Sequence, residues 1–241
     1  MIKRKLLLII GFFCLTLPVS ATNLLQNAEE FYRQGKFSQA LGLYEQALKN
    51  HPNDPFVYYN IGNCYFKMGS KGLAVANYYR AFKLAPRDPD IRRNLSLTRA
   101  ACGERLVPTG IPEVVHRMYF SLSLTELTGL LYMLFWLCCL SLCVLLLKRK
   151  GRKMTGGLIL ITLLIFGWWY TRQQWKNQSL AVIASPVAEV RSGPGTNFPA
   201  SASITQGHLL TVQDSKDDWY EVVVKSQGLK GWVEKNVVEK I

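Results

Sequence analysis

The sequence predicts a multidomain membrane protein: all-α helix hairpins first, a two-helix transmembrane hairpin next, and a small all-β domain last. Three observations predict it. Residues 21–88 repeat themselves with a period of 34. Two charge-free apolar runs, 127–147 and 154–170, flank a six-residue link, 148–153, with five positive charges. Residues 178–241 hold short runs rich in β-branched and aromatic residues, broken by Gly, Pro, Asn and Asp.

Charge placement supports the membrane assignment. The 29 Lys and Arg exceed the 16 Asp and Glu, giving +13, and mean hydropathy is +0.08. Eight positive charges lie in Lys3, Arg4, Lys5 and the 148–153 link, beside apolar runs. Basic residues in such places orient membrane segments. Nucleic acid is therefore disfavoured as a partner. A single large soluble enzyme is disfavoured too, since no soluble stretch exceeds about 100 residues.

The first element, 1–21, reads as a signal peptide. A basic start precedes the apolar run Leu6–Leu17, whose 12 residues are too few to span a bilayer. Val19 and Ala21 are the small residues that cleavage after Ala21 requires. An uncleaved anchor is the alternative, and either way the following residues leave the cytoplasm. Phe13 before Cys14 argues against a lipoprotein signal.

The second element is the repeat. Writing 21–54 above 55–88 aligns Ala28 with Gly62, Phe31 with Tyr65, Gly35 with Gly69, Ala40 with Ala74, Tyr44 with Tyr78, and Pro52 with Pro86. Small residues suit close helix contacts, aromatics fill the gaps, and Gly and Pro end helices. The period and these positions resemble the tetratricopeptide family. Residues 89–101 follow as a lone first-helix, a cap, so the repeat domain is placed at 22–105 and 106–122 is read as a linker. Two repeats and a cap are short for a continuous core. Help is expected from a partner, a dimer or the membrane. Because Ala28 is its mate, Gly62 is expected to accept Ala but not Leu.

The tetratricopeptide resemblance implies a concave groove lined by the first helix of each repeat. Carried over position by position, groove residues are Leu25, Glu29 and Tyr32, then Tyr59, Asn60, Asn63, Phe66 and Lys67, then Arg93 and Asn94 in the cap. Asn offers a donor and an acceptor to an extended peptide backbone. Lys67 and Arg93 would meet a carboxylate. The plainer alternative is that Asn60 and Asn63 cap or bridge helices.

The third element is the hairpin, with transmembrane helices at 123–147 and 154–170. Ser123 and Glu126 form a capping-box pattern at its start. Trp168, Trp169 and Tyr170 end the second run as an interfacial cluster. The basic link belongs in the cytoplasm, with both flanking domains on the other side.

The fourth element carries its own motifs. Val190-Arg-Ser-Gly-Pro-Gly-Thr-Asn-Phe198 is followed by Gly207, Asp218-Trp-Tyr-Glu-Val222 and Gly231-Trp-Val233. In this order they resemble the bacterial SH3 (SH3b) family, which implies a partly open SH3-like barrel of five or six strands. Phe198, Trp219, Tyr220 and Trp232 are its candidate ligand contacts, for peptide or cell wall. In so small a barrel, Trp232 and one of Trp219 or Tyr220 are more often core.

No catalytic constellation stands out. His51, His116 and His208 have no Cys or His at metal-ligand spacing. No cofactor is expected. Cys64 and Cys102 alone face an oxidising compartment, so a bridge and a buried free thiol at Cys64 both remain open.

The order of the four modules resembles the BatE proteins of bacterial aerotolerance (Bat) operons. That resemblance implies a scaffold in the bacterial cytoplasmic membrane, working beside other membrane proteins such as von Willebrand-type Bat proteins and a MoxR-type ATPase. A cell-wall sensor or anchor gripping peptidoglycan through the SH3b domain is the alternative.

Overall fold

The computed structural model describes residues 19–107, 110–149 and 151–241; residues 1–18, most of the expected signal peptide, lie outside them. The repeat segment folds as α1 (Val19–Arg33), α2 (Phe37–Asn50), α3 (Pro55–Lys67), α4 (Lys71–Leu84) and α5 (Pro89–Ala100). Its boundaries repeat with the sequence. Asp54 and Asp88 cap α3 and α5, and each accepts two backbone N–H groups ahead of a proline at the first turn. Gly35 and Gly69, at φ +75° and +82°, end α1 and α3. Beyond them, Lys36 N–H donates to Phe31 O and Ser70 N–H to Tyr65 O, the same closing bond 34 residues apart.

The two repeats are not equivalent inside. In the first, Ala28, Ala40, Tyr44 and Ala47 pack with Val57, Ile61 and Cys64. In the second, a Cβ built on Gly62 would lie 2.7 Å from two ring carbons of Tyr78. Ala is therefore not tolerated freely at Gly62, which corrects the expectation drawn from Ala28. The Tyr78 ring lies against the helix backbone here, and only glycine leaves it room.

The short array packs against the chain's own β domain, a source of support that was not among the partner, dimer or membrane expected from the sequence. Helix α4 is buried at nine of its fourteen residues, whereas the matching helix α2 buries Ala40, Tyr44 and Ala47. One face of α4 meets α3 and α5. The other meets strands β1 (Leu180–Ile183) and β7 (Val238–Lys240). Leu180 and Val182 join the α4 residues Val75, Tyr79 and Phe82 in one core, while Ala181 and Ile183 face the β core. This explains why β1 is apolar at every position. Gly72 makes the approach possible: its N–H donates to Gln206 Oε1 at 3.2 Å, and an added Cβ would lie 2.4 Å from Ile183 O. Arg80 pairs with Glu239 and donates to Lys240 O.

A buried ionic contact closes the same interface. Arg99 donates to Glu104 Oε2 at 2.7 Å, and the two side chains are 7% and 5% exposed. Ser226 Oγ donates to the other carboxylate oxygen, and His208 Nε2 lies 3.7 Å from it.

Residues 106–122 are more than a linker. They include α6 (Glu113–Tyr119), and Phe120 is buried in the repeat core. Phe82, His116, Phe120 and Trp175 form an aromatic node. The Arg172 guanidinium lies 4.5 Å from the Phe120 ring centroid and donates to Tyr119 O.

Helices α7 (Leu124–Lys148) and α8 (Arg152–Lys176) pair as a hairpin, each long and apolar enough to cross a membrane. Ser123 and Glu126 form the reciprocal capping box at the start of α7. Ser141 and Thr155 hydroxyls meet at 2.8 Å, and Trp169 Nε1 donates to Thr128 Oγ1. Most of the remaining apolar surface is exposed, with Leu147 at 79%. The helices absorb part of the basic link, since Lys148 ends α7 and Arg152 begins α8. Helix α8 also runs six residues beyond Tyr170.

The β domain adds β2 (Val187–Arg191), β3 (Ala200–Thr205), β4 (Leu209–Lys216), β5 (Trp219–Val224) and β6 (Leu229–Glu234). The antiparallel sheet has the order β3-β2-β6-β5-β4-β1-β7, so β3 and β7 are its edges. Seven strands replace the expected five or six, and the ladder does not join its two edges into a ring.

Candidate functional site

Four of the predicted groove residues, Tyr59, Asn60, Asn63 and Asn94, come together around Asn63. Its Oδ1 accepts from Tyr78 Oη at 2.7 Å and from Asn94 Nδ2 at 3.2 Å. Its Nδ2 donates to Asn60 Oδ1 at 3.2 Å, and Asn94 Nδ2 also donates to Tyr59 Oη at 2.9 Å. This network ties α3, α4 and α5 together with neutral polar groups, which cost little to bury when partnered. Asn63 and Asn94 are thus held in place by other side chains. Asn60 Nδ2 differs: it is buried and has no hydrogen-bond partner among the described residues.

The rim is more open. Phe66 is 42% exposed and Lys67 is exposed, while Tyr32 and Tyr59 are half-buried. Leu25 packs with Tyr32 against the first-repeat core, and Glu29 pairs with Arg33 one turn on at 3.6 Å. Arg93 does not join the Asn63 network; it lines a separate cleft with Arg92 and Ser96. Burial raises the Tyr32 and Tyr59 phenols above their ordinary value, so both remain neutral donors.

Cys64 and Cys102 are both free. Burial pushes the Cys64 thiol up to about 11, which makes it a packing group rather than a nucleophile. No group of three or more His, Cys, Asp or Glu able to hold a metal occurs among the described residues.

The β-domain candidates divide. Trp219 is 8% exposed. Tyr220 is half-buried beneath the ammonium groups of Lys235 and Lys240, each 5.1 Å from its ring centroid. Trp232 is half-buried on β6. Phe198 is 39% exposed and covers the loop at Gly193, where a Cβ would lie 2.5 Å from its ring. Arg191 braces that loop, donating to Thr196 O and Phe198 O. A side chain at 193 would therefore have to displace the Phe198 ring.

Sequence reasoning missed the domain interface. The signal was present in α4, whose sequence KGLAVANYYRAFKL is apolar on more than one face.

Comparison with known proteins matches these modules. A TPR repeat model matches residues 28–69, a tetratricopeptide repeat model 55–88, and a bacterial SH3 domain model 186–239. Human tetratricopeptide repeat protein 16 is 31% identical over 72 residues, covering 30% of this chain and 8% of that protein. Photosystem I assembly protein Ycf3 of Rippkaea orientalis is 31% identical over 107 residues, covering 39% of this chain and 62% of that protein. The chain therefore spans only a part of each relative. Among solved structures, the Yersinia enterocolitica chaperone SycD with a peptide of the translocator YopD is 15% identical, at TM-score 0.34 over 66% of this chain and 95% of that one. The first TPR of Spaghetti bound to an HSP90 peptide is 21% identical, at TM-score 0.33 over 34% and 64%. The chain contains tetratricopeptide repeats within residues 28–88 and a bacterial SH3 domain over 186–239.

Proposed function

We propose that the protein is a membrane-anchored, non-catalytic scaffold whose repeat groove captures an extended segment of a partner protein. Tetratricopeptide repeats are interaction modules, and one observation carries the finer reading. Asn60 Nδ2 is a buried donor with no partner among the described residues, at a position the tetratricopeptide resemblance assigns to the groove, and a peptide carbonyl reaching it as neighbouring side chains move aside would satisfy it. Phe66 and Lys67 at the rim offer an apolar and a cationic contact. The hairpin holds the scaffold in a bilayer, with both domains on the outer face of the bacterial cytoplasmic membrane. A Bat-type stress assembly containing von Willebrand-type proteins is the partner set we favour.

Crosslinking in native membranes, followed by identification of the attached protein, tests this. Asn60→Ala with Lys67→Ala should reduce the crosslink while leaving circular dichroism unchanged. Unchanged crosslinking would remove the groove from the site. A second reading rests on Phe198 and Trp232, which leave aromatic surface open on the β domain: attachment to peptidoglycan. Retention of the full chain on purified cell wall, lost in Phe198→Ala with Trp232→Ala, would favour it.

A further inference from the structure

A cleft of about 970 Å³ runs between α5 and the segment around α6. Arg87, Arg92, Arg93, Arg105 and Arg117 line it, against only Glu104 and Glu113. Both acids are already engaged. Glu104 is held by Arg99 and Ser226, and Glu113 pairs with Arg117 at 2.8 Å. Arg87 bonds Glu126 and Ser121 O. Arg92 meets the Pro86 carbonyl, the His116 ring and the face of the Phe82 ring, and makes no ion pair among the described residues. Arg93 and Arg105 make no ion pair among the described residues. Burial and the nearby Arg117 charge pull the Arg92 guanidinium below its ordinary range, as expected where cations outnumber anions.

Position narrows the ligand. Phe120 and Ser121 line the cleft, and Ser123, two residues on, caps the first apolar helix. Ile111, also in the lining, precedes an α6 whose Val114, Val115 and Met118 are 68%, 53% and 64% exposed. Cations beside an exposed apolar face, at the mouth of a membrane hairpin, suit the headgroup level of a bilayer. Guanidinium groups match phosphate oxygens in pairs, and the apolar face accepts the start of an acyl chain.

We propose that this arginine cleft binds the phosphate headgroup of an anionic membrane lipid. The proposal rests on the membrane reading of the hairpin, and the test separates the two. The full chain is first floated with phosphatidylcholine vesicles; failure to float overturns the membrane reading itself. In detergent, native mass spectrometry then compares retained phosphatidylglycerol with phosphatidylcholine. The parent should favour phosphatidylglycerol, and Arg93→Gln with Arg105→Gln should weaken its retention roughly 10- to 30-fold for two lost charges near the surface. A chain that floats but holds both lipids equally overturns the lipid site alone. So does a variant that keeps the preference. Displacement by inorganic phosphate at matched concentration would reveal a simple anion site. Binding of a polyglutamate peptide in place of phosphatidylglycerol would reveal a peptide site. Either result overturns the lipid assignment.

Discussion

Replacing Gly72 by Ala tests the docking of the two domains. The new methyl would sit 2.4 Å from Ile183 O and 3.0 Å from Ala184 Cα, both backbone atoms of the strand end. A carbon rests no closer than about 3.3 Å to a carbonyl oxygen, so the strand and helix must part by nearly an ångström. Overpacking of this kind costs about 1–3 kcal/mol. The helix gains about 1 kcal/mol from Gly→Ala, so the net effect runs from neutral to about 2 kcal/mol destabilising. Gly42 in α2 is the control, since nothing lies within 4 Å of its added Cβ. Gly42→Ala should stabilise by about 1 kcal/mol. Thermal melts of the full chain rank the three proteins. Hydrogen exchange then locates the loss, with faster exchange over 180–183 and 204–210 in Gly72→Ala only. If both variants melt higher by the same amount and β1 keeps its protection, α4 does not lie against β1.

Other outcomes follow from the same contacts. Glu104→Gln should destabilise by about 3–5 kcal/mol, because it leaves the buried Arg99 charge without its partner; Arg99→Met with Glu104→Leu should recover most of the loss in a melt. His116 has its pKa lowered from 6.5, first by burial and then by the Arg92 charge. The unfolded chain therefore binds the proton more readily, and stability should fall as pH drops from about 6.5 toward the lower folded value. His116→Phe keeps a ring beside Phe82 and should flatten that part of the melting-temperature profile. Replacing the five basic residues of 148–153 by Gln should scramble orientation. Protease added to spheroplasts would report it, by cutting 22–121 and 178–241 in the parent and sparing them in a fraction of the variant.

The sequence carried the helices of the repeat because their signals are local. Asp54 with Pro55, Asp88 with Pro89, and the glycines at 35 and 69 act on the backbone within a turn of themselves. The capping box at Ser123 is legible for the same reason. What the alignment did not reveal was difference between aligned positions. Ala28 and Gly62 share a column, yet the Tyr78 ring lies too close to Gly62 for any side chain. The candidate groove residues were legible as a list of positions, but the network among four of them was not. Asn63 and Asn94 meet only once the packing of three helices is known. The interface with β1 and β7 lay hidden because contacts such as Arg80 with Glu239 join residues 159 apart. An α4 apolar on two faces and a β1 with no polar residue were each half of that message.

Only Asn177, Gln178 and Ser179 separate α8 from β1, and Trp175 just before them is locked into the Phe82–Phe120 node. The chain has no slack at that joint. Helices, repeats and sheet are therefore expected to move together, which would hold the distance from the candidate groove to the open aromatics of the β domain nearly constant. Two ligands bound there at once would be spaced as if by a ruler. A partner whose segment falls short of that spacing gains nothing from the second site, however strongly each site binds alone. Assemblies built on this protein would be selected by length as much as by chemistry.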